Sequence, residues 1–171
     1  MQTDMVATTI VGIDNGINGG LCAISSHSGN IIERIPMPTY TYSGKEEVDV
    51  AGLLEFLIGF RYPESLLVCL EEPLRHAKSS QAMRSMSINF GKILGACEAK
   101  KIPTRRVDVK KWQDKLLGKL VPKGKTKEYA ELKAKEIWPD ENWLATSRSK
   151  VAHDGMVDAG LIAYYIWQQS R

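Results

Sequence analysis

Four carboxylates stand where apolar segments begin or end. Asp14 closes the run Ile10-Val11-Gly12-Ile13, and Glu71 closes the run Leu66 to Leu70. Asp154 and Asp158 lie four apart at the start of the apolar segment Met156 to Trp167. Acids at the ends of buried elements are costly to desolvate and call for a partner. A divalent cation is one partner that serves several converging carboxylates at once. The pattern points to metal-dependent chemistry on phosphate.

The four differ in what else they could be. Asp14 also fits a strand-end residue that caps the Asn15-Gly16 turn. Glu71 also fits a structural partner for an Arg or Lys, and Asp154 a helix N-cap. Asp158 has no such simple role, because it lies a full turn inside a helix that is apolar on most faces. Spacing of i,i+4 puts Asp154 and Asp158 on one face, about 5–6 Å apart at Cβ. Two like charges there repel unless a cation neutralises them. Mg²⁺ prefers carboxylate oxygens and keeps waters and substrate phosphate in its shell. Two such ions about 4 Å apart activate a water and stabilise the leaving oxygen of a phosphodiester. No His-rich or Cys-rich ligand set competes, which argues against zinc.

Charge is divided along the chain. The formal net charge is +3, yet residues 100–150 hold 15 of the 23 Lys and Arg and only 7 of the 20 Asp and Glu. An acidic cluster beside a basic segment suits a polyanionic substrate. The 171 residues suffice for one domain with a well-buried core. Cys22, Cys69 and Cys97 are odd in number, far apart and embedded in apolar runs, as reduced buried thiols are. No membrane span or signal pattern is expected.

These acids need elements to carry them. Alternation and turn residues predict strands over 8–14, 21–25 and 30–37, forming an antiparallel meander. The Asn/Gly-rich turn over 15–20 is expected to use residues that tolerate positive φ. A polar loop is expected over 38–45, and apolar spacing predicts a helix over 48–60. A short buried strand over 66–71 should lie parallel to a neighbour through a right-handed crossover. Asp14 and Glu71 would then share the carboxyl edge of the sheet, where sites in α/β proteins form. A loop over 73–80, a long helix over 80–101 and a strand over 103–107 follow. Helices are predicted over 109–117, 126–138 and 154–169, with a Gly/Lys loop over 118–125. The expected fold is one α/β domain, a mixed five-stranded sheet flanked by helices over 8–169, with a loose tail over 1–7.

At this point the chain resembles a known family. The strings Val11-Gly12-Ile13-Asp14-Asn15-Gly16, Cys69-Leu70-Glu71-Glu72 and His153-Asp154-Gly155-Met156-Val157-Asp158-Ala159 are similar, in order and spacing, to motifs of the RuvC-like Holliday junction resolvases. Ser87-Ile88-Asn89-Phe90-Gly91-Lys92 and Val109-Lys110-Lys111-Trp112 resemble the phage and chloroplast-type branches. The resemblance implies an RNase H-like fold, a homodimer, and Mg²⁺-dependent (or Mn²⁺-dependent) nicking of two symmetry-related strands of a four-way DNA junction. It implies that Asp14, Glu71, Asp154 and Asp158 are metal ligands holding two ions. Bacterial members more often space the last two acids by three, and here Gly155 occupies that position. Lys110 and Lys127 resemble basic residues near the scissile phosphate, with Lys111, Lys123 and Lys125 close by. His153 matches a helix-start His that some relatives use in proton transfer, against the plainer reading of an exposed His.

The same resemblance brings the segment with Arg75, His76 and Lys78 to the junction centre, with Leu74 or Met83 as wedge or core. Arg105, Lys110, Lys111, Lys123, Lys125 and Lys127 are expected phosphate contacts, and the helix over 80–101 a dimer surface. Trp112 and Trp138 read as packing anchors. The expected activity is structure-selective cleavage of branched DNA, with no membrane association and no nucleotide cofactor. The compartment is expected to be cytoplasmic, in the host if phage-encoded, or organellar if a transit peptide was removed. Rival readings are an RNase H-like nuclease on flaps or RNA–DNA hybrids, and a catalytically silent branched-DNA-binding module. A nucleotide-binding protein of the actin or sugar-kinase type shares the Asp14 to Gly20 turn, but that fold needs two such domains.

Overall fold

The computed structural model describes residues 7–60, 65–73 and 79–171. Three strands, β1 (Thr9–Asp14), β2 (Gly20–Ser25) and β3 (Ile31–Pro36), form the expected meander. A hairpin of β4 (Thr39–Tyr42) and β5 (Lys45–Val48) follows, then α1 (Val50–Ile58) and β6 (Leu66–Glu71). Next come α2 (Ser80–Ala99), β7 (Thr104–Val107), α3 (Val109–Leu116), α4 (Thr126–Ile137) and α5 (Asp154–Gln169). The main sheet has the order β3-β2-β1-β6-β7, with β1, β6 and β7 parallel and the rest antiparallel.

Side chains alternate between two cores, as the two-residue period of a strand requires. Val11, Ile13, Val68 and Leu70 pack with Leu53, Leu57, Ile93 and Cys97, from α1 and α2. Ile10, Cys22, Cys69 and Val107 pack with Trp112, Trp138, Leu161 and Ile162, from the α3–α5 side. Both faces of the sheet are therefore covered, and β1 and β2 are buried along nearly their whole length. Among the described residues, no helix is long and apolar enough to cross a membrane.

Gly12 falls on the α5 face of β1. A Cβ there would sit 1.9 Å from the Ala159 carbonyl oxygen, so α5 rests directly on strand backbone. A second seam lies at the turn after β1. Gly19 bridges Gly155, and a Cβ on Gly20 would meet the Met156 nitrogen at 2.7 Å. None of Asn15, Gly16, Asn18, Gly19 or Gly20 has positive φ. The turn thus departs from the expected reason for its glycines, since Gly19 and Gly20 admit a neighbouring backbone.

Two further expectations change. The polar segment 38–45 is no loop, because β4 and β5 pair from Thr39↔Val48 to Tyr42↔Lys45. Ser43 and Gly44 form its two-residue turn, with φ of 49° and 74°, the left-handed geometry that matches strand twist. Val48 consequently ends β5, and α1 starts later, at Val50. Asp49 caps α1 by accepting from the amides of Ala51 and Gly52.

Candidate active site

Parallel pairing builds the first half of the site. Gly12 lies opposite Cys69 and Ile13 opposite Leu70, so Asp14 and Glu71 end adjacent strands in step, about 4.8 Å apart across the ladder. Both fall on the α5 face. Asp14 Oδ1 accepts from the Gly16 amide at 3.1 Å, so the turn-capping role and the site position coexist. The second half comes from α5, whose first turns carry Asp154 and Asp158 against the Gly19 seam. Asp14, Asp154 and Asp158 line an open cavity of about 430 Å³ with His153 and Lys127.

Glu71 lies behind that cavity rather than on its wall. It is buried, and its Oε1 accepts from the Trp112 indole at 2.8 Å. Trp112 is the expected packing anchor, yet it also fixes one of the four acids. Lys127, from the start of α4, donates to Asp154 Oδ2 at 2.5 Å. Lys110 is turned elsewhere, pairing with Asp114 at 3.1 Å on an exposed face of α3.

His153, not Asp154, caps α5. Its Nδ1 accepts from the Met156 amide at 3.3 Å, which leaves Asp154 in the first turn. There the carboxylate meets the positive end of the helix dipole. His153 is partly buried, so the exposed-His reading does not describe it.

The carboxylates hold one another away from ordinary acidity. Burial, then the charges of Asp14 and Asp154, push Asp158 up to about 8 against a usual 3.8. Burial and the Asp14 charge raise Glu71 well above its usual value, and the Trp112 hydrogen bond opposes them. Burial raises Asp14 too, countered by the Gly16 amide, His153 and Lys127.

Solved structures share this architecture. Thermus thermophilus RuvC in complex with a Holliday junction substrate superposes with a TM-score of 0.62 at 18% identity, covering 95% of each chain. A further Thermus thermophilus RuvC structure gives 0.60 at 19% identity, again over 95% of each chain. The chain has the RuvC fold. No protein-family model matches the sequence, and no curated protein is significantly similar to it.

The RuvC fold is RNase H-like, as expected, and its mixed five-stranded sheet carries Asp14 and Glu71 here, with Asp154 and Asp158 on α5. Of the expected phosphate contacts, Arg105 is exposed on β7, and Lys111 is exposed at the start of α3. Lys123 and Lys125 are exposed in the loop before α4, with Lys125 paired to Glu128 at 2.7 Å. Leu74, Arg75, His76 and Lys78 lie outside the described residues, and Met83 is partly buried on α2.

Two asparagines were not foreseen as part of the site. Asn15 Nδ2 donates to the Glu71 carbonyl at 2.7 Å, and Asn89 Nδ2, from α2, donates to the Asn15 carbonyl at 3.2 Å. Both are buried. Together they tie the ends of β1 and β6 to α2. Both fall within the strings that carry the family resemblance, and Asn89 also sits among the apolar positions of an otherwise amphipathic helix.

The donor set suits a hard divalent cation. All four candidate groups are carboxylates, and Asp14, Glu71 and Asp158 are raised by burial and mutual repulsion, with Lys127 beside them. Among the described residues, no three such side chains stand close enough to form a finished cage. Mg²⁺ tolerates this, since it takes one or two carboxylates and fills its remaining positions with water and phosphate.

A pH dependence follows. Unfolded, Asp158 titrates near 3.8; folded, near 8. The folded state therefore holds extra protons between these values, and stability of the ion-free protein declines as pH rises through that window. A cation that binds the ionised acids reverses the loss. Saturating Mg²⁺ should raise Tm at pH 8 by about 5–10 °C, and by much less at pH 5. Thermal melts at the two pH values check this, and equal shifts would contradict it.

Trp112→Phe removes the donor to Glu71. Loss of a buried hydrogen bond to a carboxylate costs about 1.5–3 kcal/mol. With that restraint gone, the Glu71 carboxyl rises further, so the pH–rate profile of the variant should move to higher pH. An unchanged profile would show that Trp112 only packs.

Proposed function

We propose that this protein is a structure-selective endonuclease that resolves four-way DNA junctions by metal-dependent paired nicking. The observation that carries the reading is that Asp14 from the sheet edge and Asp154 and Asp158 from α5 line one open cavity with Lys127, with Glu71 buried behind it. The RuvC fold supports it, since one structure with that fold holds a Holliday junction substrate.

In this reading the four acids hold Mg²⁺, for which Mn²⁺ substitutes, two ions to a site. Bound there, the ions supply an activated water and neutralise charge on the leaving oxygen. Asp14 and Glu71 come from the rigid sheet edge, and Trp112 orients Glu71. Asp154 and Asp158 come from one helix face. Lys127 donates to a non-bridging oxygen of the scissile phosphate, where negative charge grows in the transition state. Lys110, by this reading, serves the phosphate backbone with Arg105, Lys111, Lys123 and Lys125, and Arg75, His76 and Lys78 meet the junction centre. Binding is chiefly to backbone and shape, because a junction has no fixed sequence.

The active form is a homodimer, so that two sites nick symmetry-related strands. Its contact is the amino-terminal half of α2, where Ala82 is exposed and Ile88 is 47% exposed.

The test is cleavage of a synthetic four-way junction beside flap, RNA–DNA hybrid and linear substrates, with and without Mg²⁺. Symmetric nicks in the junction that need the ion are expected. Cleavage of the hybrid with the junction left intact would replace this reading with that of another RNase H-like nuclease.

A further inference from the structure

A second open cleft, of about 600 Å³, lies between α3 and the last turn of α5. Its walls carry Lys111, Lys115, Lys119, Tyr165, Gln168 and Gln169. Asp114 also borders it, and its charge is engaged by Lys110. Most lysines near carboxylates in this chain are neutralised: Lys92, Lys125, Lys127, Lys133 and Lys135 each form an ion pair. Lys111, Lys115 and Lys119 pair with no carboxylate among the described residues. Three unneutralised cations thus face one cleft, beside a phenol and two carboxamides that can donate hydrogen bonds.

Spacing suits a nucleic-acid backbone. Lys111 and Lys115 are one turn apart on α3, about 6 Å along its axis, and phosphates on one strand recur every ~3.4 Å of duplex axis. Cations and neutral donors of this kind hold phosphate and sugar without reading sequence. Gln168 lies ten residues beyond Asp158 on α5, about 15 Å along the helix.

We propose that this cleft is a distal anchor for the phosphate backbone of a duplex arm, about four to five base pairs from the cut. The proposal rests on the junction-nuclease reading and specifies where an arm runs after it leaves the acids. It also sets a minimum arm length, since a shorter arm ends before the cleft.

The test compares wild type with K115A/K119A on four-way junctions whose hairpin-capped arms are four or fifteen base pairs long. Linear duplexes of both lengths run in parallel. Both lysines are exposed and outside the acid site. Wild type should bind the long-armed junction about tenfold more tightly than the short-armed one. The variant should lose that difference, and its slope of log Kd against log salt should fall by about two. Single-turnover cleavage of the saturated complex should be unchanged. A variant that keeps the arm-length preference and the full salt slope overturns the anchor. If wild type shows no preference for junctions over duplex, yet its duplex binding depends on length and on these lysines, the anchor stands and the junction reading falls.

Discussion

Asp158→Asn should abolish cleavage while leaving junction binding within about threefold of wild type. The carboxamide has nearly the same shape, so packing along α5 is kept. On the proposed reading, what is lost is a charged ligand in a site whose ions would supply several kcal/mol to the transition state, and about 4 kcal/mol corresponds to roughly 10³ in rate. Binding survives because, on that reading, the phosphate contacts come from other residues. The substitution also removes a charge that burial and two neighbouring acids disfavour. The ion-free variant should therefore be more stable than wild type at pH 8, by about 1–2 kcal/mol, a discounted share of the shift because water enters an open cavity. Cleavage assays, binding assays and ion-free melts check the three parts. Unchanged cleavage would remove Asp158 from the site. Glu55→Gln, on the exposed face of α1, should alter none of them.

Gly12→Ala should be strongly destabilising, with the tightest added-Cβ contact of any glycine in the described residues. The new methyl would lie 1.9 Å from the Ala159 oxygen and 2.8 Å from the Ala163 nitrogen, both backbone atoms of α5. Backbone cannot rotate aside as a side chain can, so α5 must lift from the sheet. Overpacking of this kind costs about 3 kcal/mol or more, a fall in Tm of roughly 6–12 °C. Cleavage should fall further than stability explains, since lifting α5 carries Asp154 and Asp158 away from Asp14 and Glu71. Gly95→Ala in α2 is the control, because nothing lies within 4 Å of its added methyl, and it should be neutral or stabilising by up to about 1 kcal/mol. Equal melting temperatures for Gly12→Ala and wild type would contradict the seam.

The parts of this fold that follow from burial are legible in the sequence. The runs ending in Asp14 and Glu71 lie in the middle of a covered sheet, so they are apolar throughout and their ends are sharp. The β4–β5 hairpin is not legible there, because Thr39 to Tyr42 is mostly exposed and lacks the apolar alternation that marks a strand with one buried face. Only the Ser43-Gly44 pair signals it. Asp154 also fits a cap because Asp is common there, yet His153 takes that place and the helix starts at Asp154, one residue earlier than a cap at Asp154 would set it.

The site shows the same division. The i,i+4 placement of Asp154 and Asp158 needs only helical geometry, and it held. That Trp112 holds Glu71, that Asn15 and Asn89 bind strand ends to α2, and that Lys127 meets Asp154 while Lys110 meets Asp114 all depend on how distant elements pack. Periodicity carries no such information. Lys110 and Lys127 are alike as sequence and differ only in where α3 and α4 point them.

The glycine seams divide the site into a stiff part and a compliant one. Asp14 and the two acids of α5 ride on backbones in direct contact, at Gly12 and at Gly19 with Gly155, so they move as one body. Lys127 belongs to α4 and reaches that body through a single ion pair in which its side chain is 76% exposed. Such a pair is worth little energetically. If Asp154 were to hold a cation, as proposed, it could leave this pair without disturbing the frame, and the Lys127 ammonium would be free to turn toward phosphate. Adjustment to such a ligand would thereby be confined to one long side chain, while the spacing of the acids stays set by backbone.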